Sequence, residues 1–153
     1  MIARALGLGI AVALGAGCLD SFEPDVGEPI QALCTDEDSD PSTPVSFLTD
    51  IQAGLFERPD LACTVCHTPG GATPIGLRTS GLNLSSYASL LRGGDDSGAD
   101  IVVPGRPCES VLFQKVSPAP PFGARMPLDG PPFLGERELQ LVADWIAEGA
   151  DED

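Results

Sequence analysis

The chain is short of cations. Its 153 residues contain one histidine, His67, and one lysine, Lys115, and basic residues number 8 against 23 acidic ones, for a formal net charge of −15. So acidic a charge argues against nucleic acid and anionic membrane surfaces as partners. A single histidine leaves no room for a zinc site built from paired imidazoles. No segment shows a convincing strand pattern, so a βαβ unit is not expected. The longest apolar run, within residues 1–17, is too short and too rich in glycine to span a membrane comfortably.

That run reads instead as an export signal. Residues 1–17 carry one charge, Arg4, and then only apolar residues and glycine up to Gly15-Ala16-Gly17. Small residues before Cys18 resemble a bacterial lipoprotein cleavage site, with Cys18 as the acylated N-terminus, although Gly15 stands where leucine is usual. Loss of the leader removes Arg4 and leaves the mature chain at −16. Residues 18–43 hold eight acidic residues and no basic one, as expected of an acidic flexible tether.

A folded domain is expected over 44–150. Thr43 and Pro44 suit a helix start, and Phe47, Leu48, Ile51 and Leu55 recur at helical spacing over 44–56. Residues 68–81 read as a glycine- and proline-rich loop. Ser85 opens a short helix with Leu84, Tyr87, Leu90 and Leu91 on one face, stopped at Gly93. A loop over 94–106 follows, then a helix over 107–116. The run from Ser117 to Phe133 has too many prolines for regular structure. The clearest helix is the last, where Leu139, Val142 and Ile146 keep the 3.6-residue period beside Trp145. These faces make a thin core for a domain of this size, and a large apolar cofactor would fill it.

The chemistry concentrates in the five residues Cys63-Thr64-Val65-Cys66-His67. A thioredoxin-like redox pair needs a βαβ setting, which is missing. A zinc site would need Cys34, Cys63, Cys66 and Cys108 together, yet Cys34 and Cys108 are not paired by spacing. Covalent haem attachment needs C-x-x-C-H alone: two thiols add to the vinyl groups at one porphyrin edge, and the histidine stands under the iron. That reading employs the chain's only histidine. For the other side of the iron, Met126 is the only methionine beyond the leader, in a loop before the terminal helix. A thioether favours reduced iron. Lys115 is the competing donor, and an open sixth site is the third option.

With these motifs the chain resembles the small monohaem c-type cytochromes with His/Met ligation, and more narrowly the cytochrome c domains common in planctomycetes and myxobacteria. The resembling segments run from "FLTDIQAGLFERPDLACTVCH" through "GLNLSSYASLLRGG" and "IVVPGRPCESVLFQKV" to "RMPLDGPPFLGERELQLVADWIAEGA", about residues 47–150. The resemblance implies an all-α fold, roughly three to five short helices around one covalent haem c, with the first and last helices packed together. It implies Cys63 and Cys66 as attachment thiols, His67 as proximal ligand and Met126 as distal ligand. With Cys18 lipidated and two thiols on haem, Cys34 and Cys108 remain, and in an oxidising compartment they are expected to pair. A backbone carbonyl near Pro69 should orient the imidazole, and Arg78, Arg92, Arg106 and Tyr87 are candidates for the propionates. The expected function is electron transfer rather than enzymatic turnover. It would take place in the bacterial cell envelope, on a lipid-anchored and periplasm-facing protein. Its redox partner would present a basic docking face. The alternatives are an open-site haem protein that binds small ligands or acts like a peroxidase, and a zinc-bound structural module.

Overall fold

A computed structural model describes residues 34–118 and 120–153. The expected leader, Cys18 and the first part of the tether lie outside the described residues. Among those described, the chain is helical and contains no strand. We label the helices α1 (Phe47–Phe56), α2 (Cys63–His67), α3 (Ile75–Ser80), α4 (Tyr87–Leu90), α5 (Val111–Val116) and α6 (Glu136–Ala147). Two 3₁₀ turns, Gly98–Ile101 and Pro107–Glu109, lie between α4 and α5.

The first and last helices form the back of the domain. α1 buries Phe47, Ile51, Leu55 and Phe56, and α6 buries Val142, Ala143, Trp145 and Ile146. Phe47 joins them: its ring lies 5.4 Å from Trp145 and 5.2 Å, edge-on, from Tyr87. The polar tips of these aromatics are satisfied by the chain end, Tyr87 donating to the Ala150 carbonyl and Trp145 Nε1 to the Asp151 carbonyl. α6 starts at Gly135, which has no side chain with which to cap. Glu138 supplies the return half of a capping box by accepting from the Gly135 amide at 2.8 Å.

Several expected boundaries move. α1 begins at Phe47 because Ser46, not Thr43, caps it, its hydroxyl accepting from the Thr49 amide at 3.1 Å. The helix is wound wide, with the Ile51 amide reaching back five residues to the Ser46 carbonyl. α4 is capped by Ser86 rather than Ser85. Part of the expected loop at 68–81 is helix α3, the expected loop at 94–106 contains the Gly98–Ile101 turn, and the expected helix at 107–116 splits into a 3₁₀ turn and α5.

The last ten residues of the expected tether are fastened to the domain. Cys34 is disulfide-bonded to Cys108, with 5.7 Å between their α-carbons. The Cys108 amide donates to Asp36. Ser39 donates both its amide and its hydroxyl to the buried carboxylate of Asp144, and the Val45 amide donates to Glu148. Segment 34–46 therefore lies along α6 as a strap.

Candidate functional site

The two free thiols sit on α2. A spacing of three in a helix puts Cys63 and Cys66 on one face, and both line the same cavity. The helix is entered through Ala62, which holds a left-handed conformation at φ 54°, and that conformation costs a non-glycine residue about 1–2 kcal/mol. Burial pushes the Cys63 thiol up to about 11, so it is a neutral thiol and not the exposed, low-pKa thiolate of a redox enzyme. The four-cysteine zinc site fails on its ligand set, because Cys34 and Cys108 are bonded to each other.

His67 ends α2, and its ring is oriented from two sides. Nδ1 lies 3.2 Å from the carbonyl of Leu82, just past the 68–81 stretch around Pro69 from which a carbonyl was expected. A carbonyl only accepts, so Nδ1 carries the hydrogen and Nε2 of the neutral ring is left with a bare lone pair. Burial pushes the imidazole pKa down and favours that neutral form. The main chain at this point runs alongside residues 82–84, with the Leu84 amide donating to the His67 carbonyl at 2.8 Å.

Two glycines let the backbone come this close. A β-carbon on Gly76 of α3 would stand 2.5, 2.7 and 2.8 Å from Nε2, Cε1 and Cδ2 of His67. Near-equal distances to three ring atoms place it over the face of the imidazole rather than beyond Nε2. Gly76 therefore packs flat on the ring and leaves its lone pair clear. A β-carbon on Gly71 would meet the Val65 carbonyl oxygen at 2.1 Å, so the loop after His67 can fold back over α2 only as glycine.

The cavity these groups share has a volume of about 440 Å³, inside the range of roughly 300–1,000 Å³ typical of cofactor and ligand sites. Its wall is mostly apolar, with Phe56, Leu61, Leu84, Ile101 and Leu112 at the core side. Met126 and Pro127 reach it from the irregular loop after α5. Among the described residues, charge enters the wall through Asp96, Asp129 and Lys115. Of the expected propionate partners, none lines it: Arg78 is exposed, Arg92 donates to the Ala88 carbonyl, Arg106 pairs with Glu109, and Tyr87 is committed to Ala150. Lys115 does line it, but Nζ donates to the carbonyls of Phe122 and Ala124. A second hollow, of about 610 Å³, lies beside Trp145 and Glu148 and includes neither thiol nor His67.

Residues 63–127 match the family described as Planctomycete cytochrome C. That match supports a c-type cytochrome domain over this stretch of the chain. No curated protein and no solved structure matches it. The matched span opens on Cys63 and closes one residue past Met126, so it holds all four of the expected haem contacts. It is narrower than the resemblance over 47–150, and leaves out α1, α6 and the strap. A cytochrome c domain implies covalently bound haem c and haem-based electron transfer, and such domains typically work outside the cytoplasm. Among the described residues no helix is long and apolar enough to cross a membrane.

The residues present fit that group. Two thiols share one helix face, a lone pair on Nε2 is held ready by Leu82 and Gly76, and an apolar wall carries a thioether. Sequence reasoning names the thiols, His67 and Met126, and the structure brings all four to one cavity. That reasoning misses Leu82 and Gly76, whose roles depend on α3 folding back, and nothing in the spacing marks them.

Proposed function

We propose that this protein is an exported one-electron carrier with a single haem attached through Cys63 and Cys66, ligated by His67 and Met126. The observation that carries the proposal is the imidazole: with Nδ1–H donated to Leu82, Nε2 is the free donor in an apolar cavity that also holds both thiols and Met126. When bound, the haem supplies a ferric/ferrous couple. The chain supplies the rest. The Leu82 carbonyl raises the donor strength of His67 and fixes its plane. The apolar wall lowers the local dielectric, and the soft thioether of Met126 favours the reduced state. Nothing here requires a bound substrate.

The acidic surface favours a partner with a basic docking face, and Asp96 and Asp129 stand at the cavity itself. Binding to such a partner weakens with salt. The leader-like residues 1–17 and Cys18 support a lipid-anchored place in the cell envelope. The deciding experiment is an absorption spectrum of oxidised and reduced holoprotein, wild type against Met126→Ala, produced with haem-attachment machinery. Low-spin bands in both states, with a sulfur-to-iron feature that disappears in the variant, are expected. A high-spin wild type unchanged by the substitution would instead mark an open-site haem protein.

A further inference from the structure

The loop that brings Met126 to the cavity has little backbone bonding of its own. Between Ser117 and Gly135 it contains six prolines, which donate nothing. Among the described residues one main-chain bond ties the methionine to the body, from the Met126 amide to the Lys115 carbonyl at 2.8 Å. Pro127 beside it is buried, and among the described residues the side-chain hydrogen bonds that hold the loop come from two long cationic side chains running in opposite directions. Lys115 reaches from α5 into the loop, and Nζ donates to the Phe122 carbonyl at 2.7 Å and the Ala124 carbonyl at 2.6 Å, 4.8 Å from the Phe122 ring centre. Arg125 reaches out of the loop, donating through Nε to the Val116 carbonyl at 2.8 Å and through a terminal nitrogen to the Leu134 carbonyl at 3.0 Å. Its guanidinium lies over Phe133 at 4.5 Å.

We propose that Lys115, with Arg125 as its counterpart, is a clasp that fixes the Met126 loop against α5. Its consequence for the iron rests on Met126 being the distal ligand. The two stitches close on either side of one short stretch, so residues 122–126 cannot lift without breaking a charge-assisted bond. An ammonium has three donors, and here two are engaged by carbonyls while the charge faces an aromatic ring. Lys115 is thus a positioning residue and not the competing ligand. Its nitrogen would have to release the loop in order to leave it.

The test compares wild type, Lys115→Met, Lys115→Arg and Met126→Ala as holoproteins. Amide hydrogen exchange over 122–126 reads the clasp whether or not Met126 binds iron. The sulfur-to-iron absorption feature, and the rate at which cyanide enters the ferric protein, read its effect on ligation. Lys115→Met is expected to speed exchange and cyanide entry by about tenfold, the loss from one or two charge-assisted bonds after resolvation. Lys115→Arg restores both, because a guanidinium can also serve two carbonyls. Lys115 is the only lysine, so reductive dimethylation of folded wild type, which keeps the charge and leaves one N–H, covers the case in which Lys115→Met does not fold. It should give an intermediate rate. Unchanged exchange in both Lys115→Met and the dimethylated protein would overturn the clasp. A spectrum unaffected by Met126→Ala would overturn the ligand assignment instead, and the exchange rates would still decide the clasp.

Discussion

The two walls of the cavity are built by different means. On the histidine side, short helices do the work. α2 carries the thiols, α3 lays Gly76 on the imidazole, and a main-chain carbonyl, that of Leu82, takes the ring N–H. On the methionine side the described residues between α5 and α6 hold no regular structure, and flexible side chains hold the backbone. Backbone packed directly against a half-buried ring is stiff, since atoms that close have nowhere to go. Side-chain stitches are softer and depend on charge and solvent access. The histidine side should therefore respond to added volume, and the methionine side to lost bonds.

The largest expected effect comes from the disulfide. Cys34 and Cys108 close a separation of 74 residues, and by the loop-entropy account their loss removes about 4 kcal/mol of stability. The bridge ends at the turn that leads directly into α5, the base of the methionine-side clasp. Urea unfolding of the Cys34→Ser/Cys108→Ser holoprotein should show a stability loss of that size. The sulfur-to-iron feature should weaken at lower urea than the histidine-ligated bands. If both fade together, the two sides are not mechanically distinct.

Next in size is Gly76→Ala. Its methyl would stand on the imidazole face at 2.5 Å from Nε2, closer than real contacts allow. The ring or α3 must shift, at a cost of about 1–3 kcal/mol for overpacking. Thermal unfolding should register that loss, and the spectrum should show a perturbed histidine side with the methionine feature kept longer. A variant with wild-type stability and spectrum would mean that the histidine side is as pliant as the other.

The contrast also governs what could be read in the sequence. Cys63, Cys66 and His67 are legible because C-x-x-C-H is a motif of fixed spacing. α6 is legible because its buried face keeps the helical period at Val142 and Ile146. α3 is not, since Ile75-Gly76-Leu77-Arg78-Thr79-Ser80 buries none of its residues fully and carries a glycine. The Leu82 carbonyl has no side-chain signature at all, so the sequence points no further than Pro69 or a nearby loop residue. The arginines were expected at the cavity because their charge suits carboxylates. The surface claims them instead, and the one cation on the wall is tied to the loop. Main-chain acceptors and the paths of long side chains are tertiary facts, set by how an irregular loop closes.

The smallest effect should leave both walls untouched and so serves as their control. Glu148 accepts from the Val45 amide on the strap, away from both thiols and Met126. Burial first, and then the neighbouring carboxylates of Asp38 and Asp144, push its pKa above the usual glutamate value of 4.5, although the amide bond pulls the other way. A raised pKa means that the folded state holds this proton more tightly than the unfolded chain does. The contribution is complete below 4.5 and disappears as pH rises through the higher folded value. At pH 7 the charged carboxylate is thus a mild liability. Glu148→Gln keeps an oxygen for Val45 and removes the charge, so it should stabilise the protein at pH 7 by less than about 1 kcal/mol, given partial solvent screening. The gain should shrink toward pH 4 as wild-type Glu148 takes up its proton. Thermal unfolding at the two pH values measures the difference. A gain that grows on acidification would reverse the sign of the argument, and a change in either iron-ligand band would mean that the strap and the walls are coupled.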